Sequence, residues 1–402
     1  MLKVIQLLSK NLYAMSLYSR QIAGTVVLLF IARYLSVYDY GIFSSYKTIC
    51  MFCLMFANLG FSDYILVSSN NIVKEVQVKI GIFIIGAITL TSITAIISTF
   101  LNLESKIIFI LVLLRTFFDN TFLNLMLPYF QSSKKFNIIS YVNIFYSLAT
   151  IIIAIISYFF KLTLVKFLII SIVLGLFNFI QVSFYSKINY LLSIKYYKKL
   201  LRKIDNKIFI YITVTLCWYF YNQLPSLYSS SFITKEQAAL FFSAFTIANI
   251  ISLFLSAQVQ KMLPELISTT KEKVIKILNN NLKLILAINI SILIFFVVFG
   301  KYTLKLIYSK PYYMEAYPIL LILTIANISI SIAAIYGTYI TACGKQKLKI
   351  KMQFEAIIIC IISLIIFYKF GILSASIAYL VSSTHIGIRY YLKTKQLLNK
   401  DV

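Results

Sequence analysis

The chain alternates long apolar runs with short polar segments along its whole length. Windows of about nineteen residues identify runs long enough to cross a bilayer core as α-helices, whose backbone hydrogen bonds are all internal. They predict twelve spans, at residues 12–33, 41–62, 79–101, 106–128, 137–160, 163–185, 208–231, 238–260, 282–300, 315–340, 354–370 and 371–391. A break at residues 369–371 separates the last two, which could also form one bent helix.

The longest polar stretch divides these spans into two sets of six. It predicts an N-terminal bundle over residues 1–186, a basic cytoplasmic connector over 187–207 and a C-terminal bundle over 208–402. Two short segments recur in the same order, with 36–43 similar to 234–241 and 129–135 similar to 339–345. Because corresponding spans run in the same direction when each half has six, the repeat is predicted to be parallel, as in some transporters, with a cavity between the halves.

Composition agrees with an all-α integral membrane protein. Hydrophobic residues make up 60% of the chain and charged residues 12%, and yet the net charge is +26. Most of the lysines and arginines lie in loops that a twelve-span topology places on one side, which predicts cytoplasmic termini and explains the charge without a nucleic-acid partner. Cys50 and Cys53 lack a second cysteine pair or a histidine cluster, so no disulfide, metal site or cofactor is predicted.

Four charged residues lie at membrane depth in the first-half spans, away from the span ends: Arg20, Lys47, Arg115 and Asp119. Ionisable groups are expensive in a bilayer and usually face a wet cavity or a partner. At about 1.5 Å per residue, Lys47, Arg115 and Arg20 lie roughly 9, 13 and 21 Å below the outer edge. These cations are candidates for binding a diphosphate, since guanidinium groups bind phosphate oxygens in pairs. Alternatively, Arg115 and Asp119 neutralise each other and Arg20 extends to the inner interface.

The second half offers amides, with Asn222, Gln223 and Asn249 as candidates for hydrogen bonds to sugar hydroxyls or for links between helices. Its charged candidates are Glu355, His385 and Arg389, near the inner ends of the last two spans. We expect His385 to pack at a helix end rather than to relay protons.

Two carboxylates are candidates for gating or ion coupling. Asp39 lies in the short connection between the first two spans, where it could act at the outer rim or cap the following helix. Asp119 lies inside the fourth span, beside the predicted cations.

Several segments resemble a known family. Residues 32–43 resemble the leucine, acid, tyrosine and glycine signature between the first two helices of polysaccharide (O-antigen type) flippases, which belong to the MATE-like superfamily. Residues 262–268 resemble that family's proline motif, 301–320 its outer segment, 342–347 its small, glycine and basic motif, and 370–378 its glycine and alanine start of the twelfth helix.

The resemblance implies a V-shaped pair of six-helix bundles in the bacterial cytoplasmic membrane. It also implies that the protein, like other members of this family, moves an undecaprenyl-diphosphate-linked oligosaccharide from the inner to the outer leaflet by alternating access. The implied partners are this lipid-linked substrate, membrane lipids, and the glycan polymerase and glycosyltransferases of the same pathway.

Two other classes compete with this interpretation. An exporter of small cationic drugs from the same superfamily should carry unpaired carboxylates in its core, whereas the surplus here is basic. A glycan polymerase needs a sizeable outer loop with catalytic groups, and the predicted outer connections are short. We therefore expect a transporter and no enzyme.

Overall fold

The computed structural model describes residues 2–58, 71–99, 103–133, 135–186, 207–250 and 270–400, together with residues 65, 255, 259, 262, 265 and 266. Within these ranges every regular element is helical, which confirms the all-α prediction. The α-helices are α1 Leu2–Tyr34, α2 Val37–Asn58, α3 Asn71–Ile97, α4 Leu103–Thr121, α5 Leu127–Ser132, α6 Phe136–Phe159, α7 Leu164–Ser186, α8 Lys207–Ser231, α9 Lys235–Ala248, α10 Lys271–Tyr308, α11 Tyr317–Ala342, α12 Gln346–Ile366 and α13 Leu373–Lys400.

The thirteen α-helices of the described residues correspond in order to the twelve predicted spans when α4, a short π-helix and α5 are counted as one continuous element. Five stretches of the described chain are long and apolar enough to cross a membrane: Val78–Ile97, Phe136–Phe159, Leu164–Ser186, Lys271–Tyr308 and Pro311–Ala342. The last two predicted spans are separate helices, because a 3₁₀ turn and Gly371, with φ of +57°, intervene. A positive φ of this kind favours glycine.

Some predicted features lie outside the described residues. They are the inner end of the second span (59–62), the end of the third (100–101), most of 251–260, most of the proline motif at 262–268, and all of the connector except Lys207. The predicted connector and its exact boundaries stay predictions.

The chain forms two compact units. The first contains Met1–Asp39 and Tyr46–Thr215, and the second contains Tyr40–Ser45 and Leu216–Val402. The same neighbours recur within each unit: α3 packs on α4, α4 on α7 and α6 on α7 in the first, and α10 on α11, α11 on α13 and α12 on α13 in the second. In both units the third span therefore packs on the fourth, and the fourth and fifth pack on the sixth, as the predicted repeat requires.

Small residues allow close approach between helices in the second unit. A Cβ atom at Gly387 of α13 would lie 2.9 Å from the backbone oxygen of Ser329 in α11, and Gly337 of α11 faces the ring of Tyr390. Buried polar side chains add links, and the Asn289 Nδ2 donates to Ser331 Oγ at 3.2 Å between α10 and α11. Packing of this kind holds helices together where lipid provides no hydrophobic driving force between them.

A π-helical segment, Phe122–Met126, interrupts the fourth span. The Leu127 backbone N–H donates to the Phe122 carbonyl, five residues earlier, and Pro128 follows with no N–H to donate. A single π turn inside an α-helix often accompanies a functional site, because it changes which side chains face inward. Here it begins at Phe122, whose ring contacts the side chain of Arg20.

Candidate functional site

The centre of the candidate site is the guanidinium group of Arg20, on α1 in the first unit. Its side chain is 9% exposed, and Nη2 lies 3.5 Å from Asp119 Oδ1. Nη1 donates to the Asn143 Oδ1 at 3.3 Å. The guanidinium carbon also lies 4.0 Å from the ring centroid of Phe122 and 4.2 Å from that of Tyr146, so cation–π attraction supplements the polar contacts.

The extensive packing of α1 against α6 brings Asn143 and Tyr146 to Arg20. Asn143, Tyr146 and Ser147 lie on one face of α6 because they are three and four residues apart. The hydroxyl groups of Ser19 and Ser147 lie 3.3 Å apart and provide a second polar contact between the two helices. The Arg20 side chain is therefore fixed on one side by a polar stripe of α6.

Asp119 of α4 is the carboxylate of this group. It accepts a hydrogen bond of 2.8 Å from the Tyr146 hydroxyl, and its side chain is 35% exposed. Lys47 lies close enough to interact electrostatically with both Arg115 and Asp119. Arg115 also lies against the ring of Phe167, with its guanidinium carbon 5.1 Å from the centroid.

The structure thus brings together the four charged residues predicted within the first-half spans, which we call the Arg20 cluster: Arg20, Lys47, Arg115 and Asp119. The cluster comprises three cations and one carboxylate, a donor set that repels a metal cation and attracts an anion. The burial of Arg20 and its bond to Asn143 disagree with the alternative that its side chain extends to the inner interface.

Sequence analysis missed Asn143, Tyr146 and Phe122. A signal for the first two is present in α6, where Ser140, Asn143, Ser147 and Thr150 recur every three or four residues within an apolar helix. Such spacing marks a polar face. Phe122 gave no signal, because its position depends on the π turn.

The three amides predicted to bind sugar all lie in the second unit, whereas the Arg20 cluster lies in the first. Asn222 Nδ2 donates to the Trp218 carbonyl in its own helix, α8, at 2.9 Å, and its Oδ1 accepts a hydrogen bond from Tyr379 of α13 at 3.4 Å. Asn222 therefore links two helices. Gln223 is half-buried, and Asn249 forms the C-terminal cap of α9. Sugar binding by these three residues stays a prediction.

Asp39 has the geometry of a helix cap. Ser36 precedes α2 and its hydroxyl donates to Asp39 Oδ2 at 2.6 Å, while the Asp39 backbone N–H donates to Ser36 Oγ at 3.0 Å. Ser36 thus caps the N-terminus of α2, and Asp39, the third residue of the helix, holds the Ser36 hydroxyl in place. This arrangement supports the capping interpretation, and a role of Asp39 in gating or coupling stays a prediction.

A second charged group, the Glu355 cluster, consists of Glu355 on α12 with His385 and Arg389 on α13. Arg389 Nε and Nη2 donate to the two oxygens of Glu355 at 2.9 and 3.1 Å. His385 Nε2 lies 3.5 Å from Glu355 Oε2. His385 lies in the middle of α13, not at a helix end as expected, and it contacts a carboxylate between two helices.

Comparison with known protein families identifies the family of the chain. The model of a family described as polysaccharide biosynthesis protein matches residues 30–318. The chain belongs to this family. No curated protein matches the chain significantly.

Solved structures show which fold the polysaccharide biosynthesis family member adopts. The chain is similar to an inward-facing multidrug resistance MATE family transporter of the MOP superfamily, with a TM-score of 0.71, 12% identity and 95% of each chain covered. It is also similar to an outward-facing transporter of that kind, with a TM-score of 0.64, 13% identity and coverage of 98% and 96%. A MOP superfamily transporter from Pyrococcus furiosus gives a TM-score of 0.63 at 11% identity, with coverage of 97% and 94%.

The family model confirms the predicted polysaccharide family, the solved structures confirm the MATE-like fold, and the long apolar helices are those of a multi-pass membrane protein. At such low identity, the solved structures establish the fold alone.

Proposed function

We propose that the protein is a flippase that moves an undecaprenyl-diphosphate-linked oligosaccharide from the inner to the outer leaflet of the bacterial cytoplasmic membrane. It would work by alternating access, with both termini in the cytoplasm. A polysaccharide biosynthesis family and a transporter fold support the general activity. The observation that carries the specific proposal is the Arg20 cluster, because its three cations suit the diphosphate of such a substrate.

The chemistry of the cluster fits a diphosphate better than a neutral sugar. Arg20 offers a planar fork of N–H donors, and phosphate oxygens accept such donors in pairs. Lys47 adds a point charge, and Arg115 a second guanidinium. Since Asn143 and the rings of Phe122 and Tyr146 already fix the Arg20 side chain, binding an anion requires little further ordering of that group.

The direction of transport has a simple electrostatic source. With an inside-negative potential, outward movement of a doubly negative head group gains about 4–5 kcal/mol per 100 mV, at ~2.3 kcal/mol for each charge. The lipid tail stays in the bilayer, and the polar head group would cross through the protein. Amide contacts from Asn222, Gln223 and Asn249 to the sugars, and association with the polymerase and glycosyltransferases of the pathway, complete the proposal.

The alternatives receive less support. A transporter of cationic drugs would offer its carboxylate to the drug, whereas Asp119 is engaged by Arg20 and Tyr146 and is surrounded by like-charged competitors of such a drug. We infer that the protein is not an enzyme, because the solved structures that share its fold are transporters.

Surface glycan and lipid-linked intermediates in a strain lacking the gene test the proposal. Complementation with the unaltered gene should restore surface glycan, whereas Arg20→Ala and Lys47→Ala should leave the lipid-linked oligosaccharide on the cytoplasmic face. Arg33→Ala is the matched control, because Arg33 lies outside the cluster and contacts the ring of Tyr158. Protein levels in the membrane must be equal in all strains.

Two results would contradict the proposal. Normal surface glycan from both cluster variants would remove the role of the cations. Normal glycan in the strain without the gene, with raised sensitivity to cationic dyes, would favour the drug exporter.

A further inference from the structure

The contacts of Asp119 differ in kind from those of Arg20. Arg20 is nearly fully buried, whereas about a third of the Asp119 side chain is exposed. The two groups are 3.5 Å apart, and Arg20 Nη2 is buried with no hydrogen-bond partner. Charge-assisted hydrogen bonds from a guanidinium to an oxyanion are about 2.7–2.9 Å long. The Arg20–Asp119 pair is therefore a loose ion pair in which one donor of the guanidinium stays unused.

We propose that Asp119 is an internal counter-ion, which occupies the diphosphate position while the site is empty and is displaced when the substrate arrives. This inference rests on the proposed function and specifies how the same site is regulated. A diphosphate carries several oxygens and can accept a hydrogen bond of normal length from the unused Nη2 donor. The Asp119 carboxylate, at 3.5 Å, does not accept such a bond. The substrate anion is thus the stronger partner of Arg20.

The Tyr146 hydroxyl gives the displaced carboxylate a place to remain. Tyr146 donates to Asp119 Oδ1 at 2.8 Å, and its ring also lies against the Arg20 guanidinium. The carboxylate can turn away from Arg20 while it keeps this hydrogen bond and its partial contact with solvent. Lys47, which interacts electrostatically with Asp119, is a second cation that compensates the carboxylate after displacement.

A counter-ion of this kind has a consequence for turnover. A buried cation without a partner is strongly unfavourable, so a site built from cations alone would hold its anion tightly and release it slowly. With Asp119 present, Arg20 is compensated both before binding and after release. Asp119 therefore weakens substrate binding, and this weakening permits release at the outer leaflet.

Asp119→Asn separates this role from a structural one. The amide keeps the shape of the side chain and an oxygen that accepts the Tyr146 hydroxyl, but it removes the charge. We expect purified Asp119→Asn protein, in nanodiscs of neutral lipid, to bind inorganic pyrophosphate at least tenfold more tightly than the unaltered protein. Its unfolding temperature should be lower without pyrophosphate and should recover when pyrophosphate is added.

Three controls define the result. Asp119→Asn combined with Arg20→Ala should lose the gain in affinity. Glu355→Gln, at the ion-paired carboxylate of the second unit, should leave pyrophosphate affinity unchanged. Nanodiscs containing undecaprenyl diphosphate should show the same order of affinities if the anion is recognised as part of the lipid, whereas a gain for inorganic pyrophosphate alone would assign the site to a free anion.

The inference is overturned if Asp119→Asn binds pyrophosphate no more tightly than the unaltered protein, or if neither binds it. Surface glycan decides the proposed function separately. Loss of glycan in Arg20→Ala without any gain of affinity in Asp119→Asn would leave the flippase in place and remove the counter-ion.

Discussion

The two units of the chain each contain a charged cluster, and the clusters differ in composition and in geometry. In the Arg20 cluster three cations share one carboxylate, and the ion pair between Arg20 and Asp119 is 3.5 Å long. In the Glu355 cluster one arginine binds both oxygens of one carboxylate, at 2.9 and 3.1 Å. Arg20 is 9% exposed, and Arg389 is 44% exposed.

This difference is the one expected between the proposed anion site and a link between two helices. In the bidentate pair, Arg389 spends its donors on hydrogen bonds of normal length between α12 and α13. The buried guanidinium of Arg20 has an unused donor that a ligand could accept. The repeat therefore supplies similar helix packing in both units, and the first unit adds a cluster in which three cations share one carboxylate. The anion site that we propose therefore lies in the first unit.

The largest expected effect is the difference in transport between a variant that lacks Arg20 and a variant that lacks Arg389. Truncating a buried, hydrogen-bonded charge costs about 2–5 kcal/mol, which corresponds to roughly 30-fold or more in affinity. Arg20→Gln should therefore accumulate lipid-linked oligosaccharide on the cytoplasmic face. Arg389→Gln should leave transport near its normal level, because Arg389 links helices. Equal losses from the two variants, at equal protein levels, would end the distinction between the clusters.

Tyr146→Phe tests the polar support of the Arg20 cluster. It removes the hydroxyl that donates to Asp119 but keeps the ring against Arg20. A hydrogen bond to a charged group contributes about 1.5–3 kcal/mol, so thermal unfolding of the purified protein should occur at a lower temperature. Tyr302→Phe, at a tyrosine that is 73% exposed, is the matched control. Identical unfolding temperatures for both variants would show that the hydroxyl contributes nothing.

The second unit should respond to changes in packing more than to changes in charge. Gly41, in the α2 segment that belongs to this unit, leaves no room for a Cβ atom because the Lys235 backbone lies against it. Forcing atoms into such a contact costs about 1–3 kcal/mol, so Gly41→Ala should lower the unfolding temperature. Gly24→Ala places its methyl group in open space and should not lower it. A stable Gly41→Ala protein would contradict the tight packing.

The smallest effect is expected at the Glu355 cluster. Interhelical polar contacts in membrane proteins contribute about 0.6 kcal/mol on average. Glu355→Gln should lower the unfolding temperature slightly and leave surface glycan normal, with Glu236→Gln, in the first turn of α9, as a control for loss of a carboxylate. Loss of transport in Glu355→Gln alone would give the second cluster a functional role.

Much of the fold was predictable from the sequence, because the cost of exposing backbone polar groups in a bilayer forces long apolar helices. The same cost singled out Arg20, Lys47, Arg115 and Asp119. Their partners were not predictable, since Asp119 pairs with an arginine on α1, far away in sequence. That pairing depends on contacts between distant helices, although the polar face of α6 carries a periodic signal for Asn143 and Tyr146.

The most direct measurement is the affinity of the purified protein for undecaprenyl diphosphate in nanodiscs of neutral lipid, with the unaltered chain, Arg20→Ala and Arg389→Ala side by side. The account predicts binding by the unaltered chain and by Arg389→Ala, and binding roughly 30-fold or more weaker by Arg20→Ala, as expected for loss of a buried charged donor. Equal affinity in all three proteins would contradict the assignment of the diphosphate to the Arg20 cluster.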